Sequence, residues 1–387
     1  MINISRVDHF KAAISDTARL HGPQSVVCIA FVSGAVVVYA HSACARNGRV
    51  SVYSESYTPA VGILSGRYEV MPKALLGAIK SLAADGLELE SDGMTLWVAG
   101  GDYKCVVGQA TQSERRTYIP YGEWWDWDAA DFSNGVDAVC RVPAPCRAKM
   151  DRMFSEVLFE SHREHLRVFA TDSHRMSMFQ TGTRDYTGNR VSAPASVCSF
   201  LRSVSAGSNG VRTCAAKLDD KQQFQLILCG TRSVAFDSNL YGVTSDGIDR
   251  IINTTRASDS ARDLCAGAKE LTAAIKAISD CKPDSLIGLY RIDDRLYVIA
   301  YNRATKTVTG QIAIGVASGP SDRVLDVLPA RDVIDLLYGH DTNFPTITLT
   351  PTRMMVASGR VTTLAMQISR DVDGQFDTNL LAQAGLK

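Results

Sequence analysis

The sequence carries no surplus charge of either sign: 41 basic and 41 acidic residues cancel over 387 positions. That balance disfavours a protein that grips nucleic acid by gross charge, while leaving room for local positive charge on a few facing elements. Long apolar runs are also missing. No stretch reaches the roughly 18 residues needed to span a bilayer, and the opening MINISRVDHF lacks a charged-then-apolar leader pattern. The expectation is a soluble, cytoplasmic protein with no membrane partner. Ten cysteines occur singly, with no CxxC pair, and several lie inside apolar segments such as VVCIA and LILCG, where a thiol acts as a small hydrophobe. They read as reduced and structural. No GxxxxGK[ST] loop, GxSxG elbow or GxGxxG turn follows a strand, so nucleotide hydrolysis and serine acyl transfer have no visible machinery. His162, Glu164, His165 and His174 are the one group that suggests a metal, but HREH falls in an expected turn, without helical or finger-type ligand spacing. The reading is therefore not an enzyme, with no cofactor and no metal.

What the sequence does have is a threefold repeat. A proline opens a short amphipathic helix in MPKALLGAIKSL from Met71, APASVCSFLRSV from Ala193 and LPARDVIDLLYG from Leu328. At a helix start the missing N–H of proline costs nothing. Each helix leads into a polar turn, a strand and a closing strand pair around a glycine: LWVAGGDYKCVV from Leu96, LILCGTRSVAF from Leu226 and MMVASGRVTTLAM from Met354. The prolines lie about 120 to 135 residues apart, too far for a solenoid and enough for a domain with its own core.

Each domain reads as two halves, a helix followed by a strand meander. The first-half helices are expected at Ser5 to Leu20, Ala144 to Phe154 and Gly267 to Asp280, with apolar residues at helical spacing. The aromatic, acidic run from Tyr118 to Phe132 and the polar run from Asn253 to Asp263 read as connectors. Within the first, WWDWD (Trp124 to Asp128) is either packing of that connector or a stacking platform for single strands, against which its carboxylates would act. The fold class is α+β, with domains at 1–125, 126–255 and 256–370 and a tail over 371–387, a short helix or a disordered end.

Six helix-plus-meander halves, with ATDSHRMSM (Ala170 to Met178) after the strand LRVF, resemble the bacterial β sliding clamp, the processivity subunit of DNA polymerase III. VMPKALLGAIKSL with LELESDGMTLWVAGG, and the strand TTLAMQIS, support the match over about residues 1–370. The sequence departs from the family at Ser173, where glycine is usual, at Met366–Gln367–Ile368 in place of Met-Pro-Met, in a shorter segment before SEVLFES, and in its longer tail. It reads as a divergent member, phage origin included.

The resemblance implies three domains of the DNA-clamp fold, closed as a head-to-tail dimer into a ring. That homodimer would encircle double-stranded DNA without sequence specificity and tether the replicative polymerase, with a clamp loader as further partner. The alternative is a clamp-fold scaffold or decoy that does not encircle DNA. DNA-facing candidates on the repeat helices are Arg6, Lys11, Lys73, Lys80, Arg147, Lys149, Arg152, Arg202, Lys269, Lys276 and Arg331. They are otherwise ordinary solvated faces of amphipathic helices. A partner-peptide groove would use Thr171, His174, Arg175, Met176, Leu364, Met366 and Ile368, completed near Ile248 to Ile252. The alternative makes Met176, Leu364 and Ile368 core residues. Ring closure would pair the edge strand Gly101 to Gly108, with Tyr103, Cys105 and Val107, against the last domain near its first helix, around Lys276 to Cys281 with Ile278, unless Cys105 and Val107 point into their own core. The tail segment Gly374 to Leu381 carries Gln followed by apolar residues and is expected to visit this groove or that of a neighbouring chain.

Overall fold

The computed structural model describes residues 1–22, 25–43, 50–82, 86–100, 102–142, 156–162, 165–172, 174–181, 190–205, 209–218, 222–237, 245–259, 261–280, 285–318, 325–340, 345–350, 353–366 and 382–386. Their element order repeats one unit, strand–helix–three strands, six times. The first copy is β1 (Ile2–Ile4), α1 (Val7–His21), β2 (Val27–Val32), β3 (Ala35–Ala43) and β4 (Val50–Pro59). After a two-residue strand β5 (Val61–Gly62), the second is β6 (Arg67–Val70), α2 (Pro72–Ser81), β7 (Leu87–Ser91), β8 (Thr95–Gly100) and β9 (Tyr103–Ala110). The third is β10 (Tyr118–Trp127), α3 (Ala129–Val139), β11 (Glu156–His162), β12 (His165–Thr171) and β13 (Arg175–Gln180). The fourth is β14 (Arg190–Pro194), α4 (Ala195–Ser205), β15 (Val211–Leu218), β16 (Gln222–Cys229) and β17 (Arg232–Phe236). Helix α5 (Ser245–Arg256) intervenes. The fifth copy is β18 (Arg262–Ala266), α6 (Ala268–Ile278), β19 (Ser285–Ile292), β20 (Arg295–Asn302) and β21 (Thr307–Ser318). The sixth is β22 (Leu325–Pro329), α7 (Ala330–Leu337), β23 (Thr346–Thr350), β24 (Arg353–Ser358) and β25 (Val361–Met366).

Successive copies exchange their opening strands. β1 pairs with β7 while β6 pairs with β2, and β18 pairs with β23 while β22 pairs with β19. β10 likewise lies beside β15, and β14 beside β11. Each half thus completes its sister's sheet, so neither half keeps its ladder alone.

The strands form a 13-stranded and a 12-stranded sheet, and each sheet belongs to one compact unit. Unit 1 comprises residues 1–133 and 193–239, and unit 2 residues 134–192 and 240–387. The third and fourth copies supply four strands to each sheet. In unit 1 the β4–β17 pairing joins strands from the first and fourth copies. In unit 2 the β13–β25 pairing joins the third and sixth.

Strand alternation sets two faces on each sheet. In unit 1, Ile29, Val36 and Val38 face α1 and α2 over Phe10, Ile14, Leu75 and Ile79. In unit 2, Ile287, Leu289, Val298, Met354 and Val356 face α6 and α7 over Leu271, Ile275, Val333 and Leu336. Helix α3 approaches the same sheet closely at Gly135, where a Cβ would lie 2.6 Å from Val168 and 3.1 Å from Phe179. Only glycine fits there without displacing β12 and β13.

Two sequence expectations are corrected. The run to Phe132 is not a connector alone: Tyr118–Trp127 is strand β10, and α3 begins at Ala129. Asp128 caps that helix, its carboxylate accepting from the N–H groups of Ala130 (2.9 Å) and Asp131 (3.0 Å). Phe132, Val136 and Val139 then recur at helical spacing and are buried. Trp127 closes β10 by packing edge-on against Phe132 and donating its indole N–H to Thr213. The polar run from Asn253 is likewise not a loop, since α5 continues to Arg256. The helix expected at Ala144 to Phe154 lies outside the described residues.

His21, the last residue of α1, is held between the hydroxyls of Ser42 (2.6 Å) and Ser54 (2.9 Å). His340, just beyond α7, repeats the device with Ser358 and Thr363. Burial, and secondarily the neighbouring His41, pushes the His21 imidazole from 6.5 down to about 4. Between those values the unfolded chain binds a proton that the folded chain excludes, so the stability is complete above pH 6.5 and is lost as pH falls towards 4. The window is worth on the order of 3 kcal/mol. His21→Gln is expected to flatten the fall in melting temperature between pH 7 and 4.5. An unchanged slope would assign the acid sensitivity to another group.

Candidate functional site

Thr171, Asp172, His174 and Arg175 lie where β12 passes into β13, arranged around one carboxylate. Asp172 accepts from the backbone N–H of His174 (3.0 Å) and of Arg175 (2.6 Å), while the Thr171 hydroxyl donates to the Arg175 carbonyl at 2.8 Å. The geometry explains a Thr-Asp pair followed by polar residues: Asp and Thr side chains substitute for backbone partners in a tight turn.

Alternation along β13 then separates Arg175 from Met176. Arg175 pairs across the sheet with Ala365, on the helix side, and meets Asp172, Asp332 and Asp335. Its Nη2 is 2.8 Å from Asp172, its Nη1 3.4 Å from Asp332, and Nη1 also contacts Asp335. Burial alone would depress the guanidinium pKa, but Asp172, Asp332 and Asp335 outweigh it and raise it. Burial pushes the Asp332 carboxyl upward against the pull of Arg175, with Asp172 and Asp335 adding repulsion. Arg175 is thus the counter-ion of three carboxylates and ties the β12–β13 turn to α7.

Met176 points the other way. It pairs with Leu364 on β25, and the two join Leu158, Phe169, Met178 and Met355 on the face opposite α6 and α7. Helix α5 lies across this layer and inserts Ile248 and Ile252, each under 5% exposed. Arg167 bonds Asp249 at 2.8 Å, and Arg353 donates to Thr254 (3.2 Å) and Thr255 (3.0 Å), which pins the helix at both ends. The structure therefore brings Met176, Leu364, Ile248 and Ile252 into one apolar cluster roofed by α5. His174 is exposed at its turn, and Met366 ends β25. Ile368 lies outside the described residues. The sequence placed Ile248 to Ile252 here, but not the helix that carries them, because Asn253, Thr254 and Thr255 read as polar loop.

The basic candidates occupy the helix side. Lys73 and Lys80 on α2, Arg202 on α4, Lys269 and Lys276 on α6, and Arg331 on α7 are exposed. Arg6 stands just before α1 rather than within it, and Lys11 pairs with Asp8 at 3.6 Å. Both line a cleft of about 540 Å³ with Ile79, Leu82 and Leu87. Arg147, Lys149 and Arg152 lie outside the described residues. Helix α3 itself carries no lysine or arginine, so the third copy adds no cation from its helix.

β9 is an edge for only part of its length. β6 covers Gly108 to Ala110, whereas Tyr103 to Val107 have a neighbour, β8, on one side only among the described residues. Val107 belongs to the unit 1 core and Cys105 packs against it, while Tyr103 and Val106 face solvent. β21 matches this. Thr307 to Gly315 pair with β20 alone among the described residues, Ile312 is exposed, and Gly310 lies against Ile278 at the end of α6. No group of three or more His, Cys, Asp or Glu side chains among the described residues could hold a metal, and no described helix is long and apolar enough to cross a membrane. His165 uses its Nδ1 on the Thr181 carbonyl at 3.0 Å.

Solved structures similar to this chain share one architecture over nearly its full length. The DNA polymerase III subunit beta of Borrelia burgdorferi superposes with a TM-score of 0.78 at 11% identity, over 96% of this chain and 100% of that one. This chain has the fold of the bacterial β clamps. The β subunit of Thermotoga maritima gives 0.77 at 11% identity (95% and 99% covered), and the sliding clamp of Bartonella birtlesii 0.74 at 14% (95% and 100%). No protein-family model and no curated protein matches the sequence. The clamp fold is thus kept here by pattern and pairing, with little residue identity.

Removing the Arg175 charge leaves Asp172, Asp332 and Asp335 facing one another in a half-buried site. Arg175→Met is expected to lower stability at pH 7 by about 3 kcal/mol. The deficit should shrink as pH falls and Asp332 takes up a proton. Chemical denaturation at pH 7 and pH 5 measures both, and an equal loss at the two pH values would refute the counter-ion role.

Proposed function

We propose that the chain is a DNA polymerase processivity clamp: two copies join head to tail in the cytoplasm and enclose duplex DNA, with three domains per copy at 1–125, 126–255 and 256–370 and a tail over 371–387. The observation that carries this reading is the fate of the six strands that close the meanders. Four of them pair among themselves, β4 with β17 and β13 with β25. The remaining two, β9 and β21, keep half-edges without a second strand among the described residues, with solvent-facing Tyr103, Val106 and Ile312. A second copy offering β21 to β9 would satisfy both edges by the pairing used twice within the chain. A repeat of that operation closes a ring rather than a filament.

Clamps act by enclosure and make no covalent bond, so the helix side needs only mobile cations. Lys73, Lys80, Arg202, Lys269, Lys276 and Arg331 supply charge that contacts phosphates without reading bases. Partners such as the polymerase and the clamp loader would dock by short peptides at the margin of the α5 cluster, near His174 and Met366, where an apolar floor lies next to polar groups.

Light scattering at micromolar concentration should return about twice the 41.9 kDa chain mass. Val106→Asp with Ile312→Asp should weaken self-association at least tenfold without changing the circular dichroism, because both side chains are exposed in the single chain. Wild-type protein loaded on nicked circular DNA should remain bound until the circle is linearised. A stable monomer that is not retained on the nicked circle would favour the scaffold reading.

A second set of substitutions tests the helix side. Lys73, Lys80, Arg202 and Lys269 changed together to Glu should cut processive synthesis severely and leave the dimer mass unchanged, while each single change does little. Normal processivity of the quadruple variant at moderate salt would remove these helices from the DNA path.

A further inference from the structure

The outer face of the fifth copy, opposite α6 and α7, is apolar and aromatic. Leu286 and Tyr290 of β19 and Ile299 and Tyr301 of β20 form its buried centre, and Ile292, Tyr297 and Val308 pack around them. The end of the chain lies on it. Ala384 is buried among those four side chains, and Leu386 packs against the same group. Gln383 clamps the margin with both halves of its amide: its oxygen accepts from the Val308 N–H at 3.0 Å, and its nitrogen donates to the Lys306 carbonyl at 3.3 Å.

The seat is specific in shape. Val308 pairs with Tyr301 beside a shift in the β20–β21 register between Ala300 and Tyr301. The Lys306 carbonyl is set by a turn in which Asn302 accepts from Ala304 and Thr305 and Lys306 takes a left-handed φ of 55°. On the ligand side, the Gly385 N–H bonds the Ala382 carbonyl at 3.1 Å, and Gly385 adopts a φ of 69°, which glycine adopts without strain. That turn brings Leu386 back to the sheet two residues after Ala384.

The hold is nevertheless slight. Among the described residues of this segment only Ala384 and Leu386 contribute apolar contact, and the two amide bonds are exposed, where each nets about 1 kcal/mol or less. A segment of the same chain meets its site at an effective concentration on the order of millimolar, which keeps a weak seat filled yet open to competition.

We propose that the outer face of β19–β21 is a second peptide-docking surface, separate from the α5 cluster and occupied by the chain's own C-terminus. Its external ligand is another protein's peptide carrying a side-chain amide, a small residue next, a glycine turn, and a leucine three positions after the amide. The tail is the competitor that such a partner displaces. This holds whether or not the chain encloses DNA.

The test uses the full-length chain and a fluorescent peptide of residues 379–387, NLLAQAGLK. Ala384→Asp with Leu386→Asp in the chain should unseat the tail and expose saturable peptide binding. The wild-type chain should bind the same peptide at least tenfold more weakly. A peptide carrying Gln383→Ala should lose several-fold affinity for the unseated chain. No saturable binding by the unseated chain, or equal affinity in both chains, would overturn the proposal. A second measurement does not depend on the double variant: hydrogen exchange at the Val308 amide should speed up in the chain with Gln383→Ala, and an unchanged rate would overturn the seat itself.

Discussion

Every strand edge exposes backbone N–H and C=O groups that need partners, and this requirement organises the whole chain. A strand–helix–three-strand unit cannot meet it alone. Pairs of copies therefore trade opening strands, as β1 and β6 do through β7 and β2. Closing strands then join copies further apart in sequence, through β4–β17 and β13–β25. The third and fourth copies divide their strands between the two sheets, so the boundary between compact units falls inside the middle segment rather than at its ends. Among the closing strands, and within the described residues, the half-edges of β9 and β21 are what this scheme leaves over.

The two faces of each sheet are used differently. One carries the helices and the larger apolar clusters. The other carries thinner apolar layers, each closed by a different segment. In unit 1 that layer comprises Tyr39, Tyr53, Phe224 and Leu226, and residues 111–118 run beside it. Tyr39 donates to the Ser113 carbonyl, and buried Glu55 collects Arg115, Tyr53, Tyr57 and Tyr118. A buried carboxylate with four donors is satisfied, and the loss of Arg115 would take away its counter-ion. In unit 2 the corresponding layers lie under α5 and under the chain end.

Much of this was legible in the sequence. The prolines at 72, 194 and 329 mark helices α2, α4 and α7, and the 3.6-residue spacing of Phe10 and Ile14, or of Leu271 and Ile275, marks α1 and α6. Helix α3 was missed although Asp128, Phe132, Val136 and Val139 signal it, because the neighbouring tryptophans and the interior Asn134 and Gly135 disguise a helix whose glycine is required by its approach to Val168. Helix α5 was missed because Thr254 and Thr255 look like loop residues until Arg353 is seen to hold them.

The candidate site divides along the same line. Local pattern alone determined the repeat, the hairpin at Asp172 and the apolar character of Met176 and Leu364, since each depends on residues near one another in the chain. Tertiary structure alone decided that Arg175 faces three carboxylates while Met176 faces α5, that Val107 is core while Val106 is not, and that Ala384 rests on Tyr290 and Tyr301. Those outcomes depend on which strands lie side by side. Pairing register is set by contacts between residues tens to hundreds of positions apart, which no local spacing records.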